Sequence, residues 1–295
     1  MAVHEFGGAW TTEKLERLRK YLVAYTTIFS KNPKAQNLIT IYVDAFAGTG
    51  YRNKPTKTDP DAPLFPELTE PETVDFLKGS ARIALEVDPP FNQYLFIEQD
   101  TEHTRELEKL KVQFPNKAGA VKIIQGEANT YLKKWCSETN WQKHRAVMFL
   151  DPYGMQVEWP LIEAIATTRA IDLWLLVPFG MGVNRMLTNN VLPPVEWSEK
   201  LTRIFGTDLW EKEFYSTHKK QTLFDNDEVQ VKNADFRKIE QFFVGRLNTI
   251  FAEVAKNPLW LMNSKNSPLY LLCFAAGNPR GAPTAVKIAQ DILGK

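Results

Sequence analysis

The sequence predicts one α/β domain spanning residues 1–295, built on a doubly wound, mostly parallel seven-stranded sheet with an antiparallel C-terminal hairpin. Three observations carry that expectation. Short apolar runs alternate with amphipathic stretches between "NLITIYVDAF" and "AIDLWLLVPFG", the pattern of a parallel sheet wrapped by helices on both faces. Two later apolar runs, "PLWLM" and "PLYLLCF", flank the polar turn "NSKNS" and read as a hairpin. With 295 residues, 44% hydrophobic and 24% charged, the chain has the length and composition to bury a sizeable core.

Residues 1–37 read as an N-terminal helical extension. Leu15, Leu18, Leu22, Tyr25 and Phe29 recur at three- and four-residue spacing opposite Glu13, Glu16, Arg17 and Lys20, with Thr11 or Thr12 as the expected cap. "NLITIYVDAF" is the first strand, buried because its centre is almost continuously apolar. Residues 51–78, rich in Pro, Lys and Asp, read as an inserted loop, followed by a helix starting at "GSARIALEV" with Ser80 as cap. "QYLFIEQD" is the second strand, "TEHTRELEKLKVQF" a helix, "AVKIIQGEA" the third strand, and residues 127–138 another helix. "HRAVMFLDPYG" carries the fourth strand into a proline turn, "WPLIEAIATT" is helical, and "AIDLWLLVPFG" is the fifth strand. Residues 181–234 form a second, irregular and polar insertion placed to cover a site. "DFRKIEQFFVGRLNTIFAEV" is a long helix, and the hairpin occupies residues 257–276.

Bulk properties exclude some functions. No apolar run is long enough to span a bilayer, and the N-terminus lacks the basic-then-apolar secretory pattern, so a cytoplasmic protein without a membrane partner is expected. Cys136 and Cys273 lack the spacings of a zinc site or redox pair, which predicts buried thiols and no metal. Four scattered histidines suggest no catalytic pair. A net charge of +1 makes no strong field for polyanions, so a nucleic-acid substrate would need a local basic patch. Arg52, Lys54 and Lys57 of the first insertion, with Arg185 and Lys219–Lys220 of the second, could form such a rim, or could simply be solvated.

In a doubly wound sheet, ligands bind beyond the carboxyl ends of the strands, where strand order reverses. Gly48 and Gly50 follow the first strand, and glycines there let the backbone approach a ligand closely; a tight strand exit alone would also explain them. A dinucleotide would want a third glycine and a helix N-terminus at once, whereas Tyr51, Arg52 and Asn53 follow. S-adenosylmethionine needs instead acidic partners for its ribose hydroxyls and its ammonium. Asp44 on the first strand and Glu98 at the end of the second are placed for that, although Glu98 could equally be a solvated strand end. Without segment 51–78 their separation approaches the roughly 20 residues of a compact unit. Glu127 after the third strand could accept the adenine amino group, or be an ordinary acidic residue in a helix's first turn.

"FLDPYG" is the second informative stretch. An acid followed by proline makes a rigid turn that aims Asp151 and the Pro152 carbonyl at the cleft, and Tyr153 offers a face for stacking. Such acceptors suit an amino group undergoing methylation, an in-line displacement that depends on positioning.

These residues carry a resemblance. "DAFAGTG", containing Asp44, Phe46, Gly48 and Gly50, resembles the cofactor motif of class I S-adenosylmethionine-dependent methyltransferases, especially those acting on nucleic acids. "DPYG" resembles their Asp-Pro-Pro-Tyr/Phe motif for amino groups, with the second proline missing. More narrowly, "GAWTTEKLERLRKYLVAY", "YVDAFAGTG", "GSARIAL", "FLDPYG", "NRML" and "PLYLLCFAAGNPRG" resemble, in order, recurring segments of the three-Cys-motif partner protein family. The resemblance implies a Rossmann-like, methyltransferase-like bacterial protein that associates with a separate protein bearing three cysteines. Its implied site is Asp44, Phe46, Gly48, Gly50, Ser80, Glu98 and Glu127 for the cofactor, and Asp151, Pro152 and Tyr153 for the chemistry. Three functions follow as expectations: a methyltransferase for an amino group of a nucleic acid, one for a protein or small molecule, and a non-catalytic module that binds a partner.

Overall fold

The computed structural model describes residues 9–46, 73–152, 154–221, 226–263 and 265–294. Its strands are β1 (Ile39–Ala45), β2 (Gln93–Glu98), β3 (Val121–Gln125), β4 (His144–Leu150), β5 (Ile171–Val177), β6 (Tyr215–Gln221), β7 (Asn226–Lys232), β8 (Glu253–Val254), β9 (Leu259–Met262) and β10 (Pro268–Ala276). The main sheet runs β3-β2-β1-β4-β5-β10-β8, with β9 also on β10. β1 to β5 are parallel and β10 is antiparallel to β5. This is the doubly wound, methyltransferase-like arrangement expected. The sheet has eight strands rather than seven because its outer edge beside β10 is built from two short strands in series. The β9–β10 hairpin falls within the residues expected, and the chain continues beyond it.

The helices are α1 (Ala9–Lys31), α2 (Thr73–Glu86), α3 (Thr101–Gln113), α4 (Ala128–Glu138), α5 (Trp159–Thr167), α6 (Asn184–Met186), α7 (Val195–Phe205), α8 (Leu209–Phe214), α9 (Phe236–Asn248) and α10 (Ala282–Leu293). Period-two alternation divides the core between the two faces of the sheet. Ile41, Val43, Ala45, Leu95 and Ile97 pack with residues of α4, α5, α7, α8 and α9. Tyr42, Tyr94, Phe96, Val147, Phe149 and Trp174 pack with α1, α2, α3 and α10.

Several local expectations are corrected. Thr11 and Thr12 lie inside α1, which starts at Ala9 among the described residues, so neither is its cap. Ser80 lies inside α2, which starts at Thr73, and the first insertion is shorter than supposed. The second insertion is not irregular. It contains α6, α7, α8 and the β6–β7 hairpin, because Leu201, Ile204, Phe205, Trp210 and Phe214 bury a stripe against the sheet layer, and Gly206 ends α7 at φ +68°. α9 stops at Asn248. α10 went unread because its buried stripe, Ala282, Val286, Ala289, Ile292 and Leu293, begins with small residues.

Candidate functional site

Strand order reverses between β1 and β4, and the register there brings the candidate residues together. Ala45 pairs with Leu150 on one side and with Ile97 on the other, so Asp151, Phe46 and Glu98 follow as the next residue on three adjacent strands. Glu98 in turn pairs with Gln125, which puts Glu127 two residues further out.

Asp44 shares its face with Tyr42 and is buried. The Tyr42 hydroxyl donates to Oδ2 at 3.1 Å, and Ser80 on α2 donates to the same carboxylate. Burial nevertheless outweighs these donors and pushes its carboxyl up to about 7. Ser80 therefore has a different role from the cap expected of it: it holds Asp44. Glu98 is 1% exposed. Its Oε1 accepts from the Asp100 N–H at 2.6 Å, while Oε2 is buried with no hydrogen-bond partner at bonding geometry. Burial, the largest influence, raises its carboxyl to about 7 despite the Asp100 and Gln99 amides. A buried acceptor left unpaired is costly and rare in native proteins.

Asp151 ends β4, and both its oxygens accept from Lys14 Nζ, at 3.1 and 3.0 Å. Lys14 is 1% exposed and reaches this position from the second turn of α1. Its ammonium also lies 4.9 Å from the Trp10 ring centroid and is attracted by Asp44. Burial raises the Asp151 carboxyl and Lys14 opposes that shift. Burial lowers the Lys14 ammonium, against the pull of both carboxylates. Sequence reading did not single out Lys14. The signal was present, since Lys14 is four residues before Leu18 and seven before Tyr21, in phase with the buried stripe.

Phe46 has φ +65°, unusual for a bulky residue. Strict alternation would put its ring on the Asp44 face. The left-handed turn instead places it with Ala45, Ile97 and Ala128 on the opposite face. There it lines a cleft of about 330 Å³ with Ile97, Gln99, Gly126, Glu127 and Gln156 among others. Glu127 caps α4, its carboxylate accepting from the N–H of Asn129 and of Thr130, each at 2.7 Å, and from Asn129 Nδ2 at 2.8 Å. Burial alone would raise its carboxyl, but these donors prevail and lower it. Asn129, a further residue missed in the sequence, bonds Nδ2 to the Gln156 carbonyl at 2.9 Å and accepts the Glu158 N–H at 3.1 Å. It ties the β4–α5 connection to the start of α4. Gln156 Oε1 is buried with no hydrogen-bond partner.

The acidic row of Asp44, Glu98 and Asp151 thus lies on the α1 face, while the cleft with Phe46 and Glu127 lies on the α4 face, with the strand ends between them. Pro152 is buried. Gly48, Gly50 and Tyr153, together with Arg52, Lys54 and Lys57, lie outside the described residues. Asn184, at the start of α6, accepts from Lys232 through its carbonyl and Oδ1. Cys136 and Cys273 are buried; burial pushes the first thiol up to about 12 and raises the second further. Among the described residues no helix is long and apolar enough to cross a membrane, and no cluster of His, Cys, Asp or Glu could hold a metal ion.

No protein-family model matches the chain, and no curated protein matches it by sequence. Solved structures do resemble it. One is a Legionella pneumophila protein of the family DUF519, 12% identical with a TM-score of 0.49, over 98% of this chain and 92% of that one. Another is spermidine synthase from Thermotoga maritima, 10% identical with a TM-score of 0.37, over 92% of this chain and 60% of that one. A third is a putative RNA methyltransferase from Pyrococcus horikoshii, 16% identical with a TM-score of 0.27, over 72% and 78%. At these identities and scores the likenesses add nothing to what the sheet order already establishes.

Proposed function

We propose that this chain is an S-adenosylmethionine-dependent methyltransferase acting on an amino group of a nucleic acid, and that it belongs with the three-Cys-motif partner proteins and works beside a three-cysteine protein. The observation that carries the cofactor reading is the unpaired Glu98 Oε2, buried at the carboxyl end of β2 and level with Asp151 across the sheet. A carboxylate aimed there accepts the ribose hydroxyls. Asp44, buried near the end of β1, suits the cofactor's positive charge. The cleft beside Phe46, Ile97 and Glu127 is walled for a flat ring. Bound there, the cofactor would supply an electrophilic methyl group. Asp151 and the Pro152 carbonyl would accept the hydrogens of the incoming amine and aim its lone pair. Asp151 would also stabilise the positive charge that develops on the amine nitrogen, whose proton would then pass to solvent.

Titration calorimetry with S-adenosylmethionine and S-adenosylhomocysteine tests the first step. Glu98→Ala should weaken both by roughly tenfold or more, the loss of a charge-assisted hydrogen bond of about 1.5–3 kcal/mol. Unchanged affinity would remove Glu98 from the site. Incubation with labelled cofactor and separate pools of RNA, DNA and protein, with and without a three-cysteine partner, tests the second step. Label in protein alone would defeat the nucleic-acid reading. A second reading rests on the same pair: the Lys14–Asp151 contact would equally fix the end of β4 in a methyltransferase-fold module that binds a partner without turnover. Cofactor binding with no labelled pool would favour that module.

A further inference from the structure

We infer that Lys14 is a positioning residue for methyl transfer: it holds the Asp151 carboxylate fixed and charged at the end of β4, ready to accept hydrogens from a substrate amine. This inference rests on the proposed methyltransferase reading.

The geometry is specific. One ammonium meets both oxygens of one carboxylate at 3.1 and 3.0 Å, and each carboxylate oxygen retains a second acceptor direction. Lys14 therefore orients Asp151 without using up its capacity to accept. Lys14 is backed by stacked rings and by hydrogen bonds along α1. Trp10 lies against its ammonium and stacks on Tyr270, with ring centroids 5.1 Å apart. Further along α1, Arg17 donates to the Ile292 carbonyl at 2.9 Å, and the Tyr21 hydroxyl donates to Asp172 at 2.8 Å. Together they hold the helix against the sheet from the carboxyl end to the amino end of its strands.

Stability alone is a weak reason for such a pair, because apolar residues of the same volume would serve a buried position as well or better. The pair has a clear chemical use. A protonated Asp151 would present one oxygen as a donor and lose its value as an acceptor, and burial pushes it toward that state while Lys14 resists. Among the described residues, the charged groups acting on Lys14 include Asp151 and Asp44, and Asp44 is itself held by Tyr42 and Ser80.

The test compares wild type with Lys14→Met, Lys14→Gln and Lys14→Arg, each checked for folding by circular dichroism. Carbon-13 resonances of labelled aspartate carboxyls, with Asp151 assigned through Asp151→Asn, report its titration with no need of a substrate. In Lys14→Met and Lys14→Gln the Asp151 midpoint should move up, and in Lys14→Arg it should stay near the wild-type position. Cofactor affinity should change by no more than about threefold, while methyl transfer into the reactive pool should fall by about 100-fold, the scale of a misplaced reacting group. Lys14→Arg should recover part of that loss. The inference is overturned if Asp151 titrates alike in wild type and the uncharged variants. It is also overturned if either variant transfers methyl at the wild-type rate. Failure of wild type to bind S-adenosylmethionine would instead refute the methyltransferase reading, and the Asp151 titration would still decide whether Lys14 controls that carboxyl.

Discussion

Lys14 and Asp151 lie 137 positions apart in the chain, and they form a largely buried ion pair in which the buried lysine meets both oxygens of a partly buried carboxylate. Removing one partner leaves the other charged and buried without compensation, a loss of about 3–5 kcal/mol. We predict that Lys14→Ala and Asp151→Ala each destabilise on this scale, and that the double variant loses much less than their sum. Urea unfolding of all four proteins measures the coupling. Additive losses would show that the two residues do not interact.

Three buried carboxyls predict the pH dependence of stability. Burial is the main cause that raises Asp44, Glu98 and Asp172 to about 7 in the folded protein. Between about pH 4 and pH 7 the unfolded chain has lost these protons while the folded protein retains them. Stability therefore falls as pH rises through this window and levels off above about 7. Urea midpoints between pH 4 and pH 8 should show the decline, and Asp172→Asn should make it shallower. A midpoint that rises toward neutral pH would contradict the assignment.

Asn129 joins the α4 cap to the β4–α5 connection through Glu127, Gln156 and Glu158. Asn129→Ala leaves those groups without their partner, and it should cost about 1–3 kcal/mol. It should also weaken cofactor binding by loosening the cleft wall at Gln156. Thermal denaturation and calorimetry on the same variant separate the two effects.

Gly180, just past β5, is held for a steric reason. A Cβ there would come within 1.7 Å of the Pro268 carbonyl oxygen, so the start of β10 would have to move. Gly180→Ala should cost about 3 kcal/mol, the upper end of ordinary overpacking. Gly119→Ala, where a Cβ meets nothing within 4 Å, is the control and should be close to neutral.

Much of this architecture was legible because strands buried on both faces are short, nearly continuous apolar runs. β1, β4 and β5 could be located from "ITIYV", "AVMFL" and "IDLWLLV" alone. Asp44, Glu98 and Asp151 stood out in the same way, as carboxylates at the ends of such runs. Turn chemistry also identified the β9–β10 hairpin. Residues 181–234 were harder to read, since their helices are short and their buried aromatics, Phe205, Trp210 and Phe214, are separated by polar residues facing solvent.

By itself, the sequence determined which segments become strands and helices and which acids sit at the strand ends, because those follow from local periodicity and from the two-residue repeat of a strand. Only the tertiary structure decided what each acid meets. Lys14 looks like one more charge on an amphipathic helix until α1 packs across the sheet and delivers it to Asp151. Glu98 becomes an unpaired acceptor only once its neighbours bury it, and Glu127 becomes a cap only when α4 begins beside it. Hydrogen bonding and desolvation depend on which groups approach in space, and contacts between distant segments leave no periodic signal in the chain.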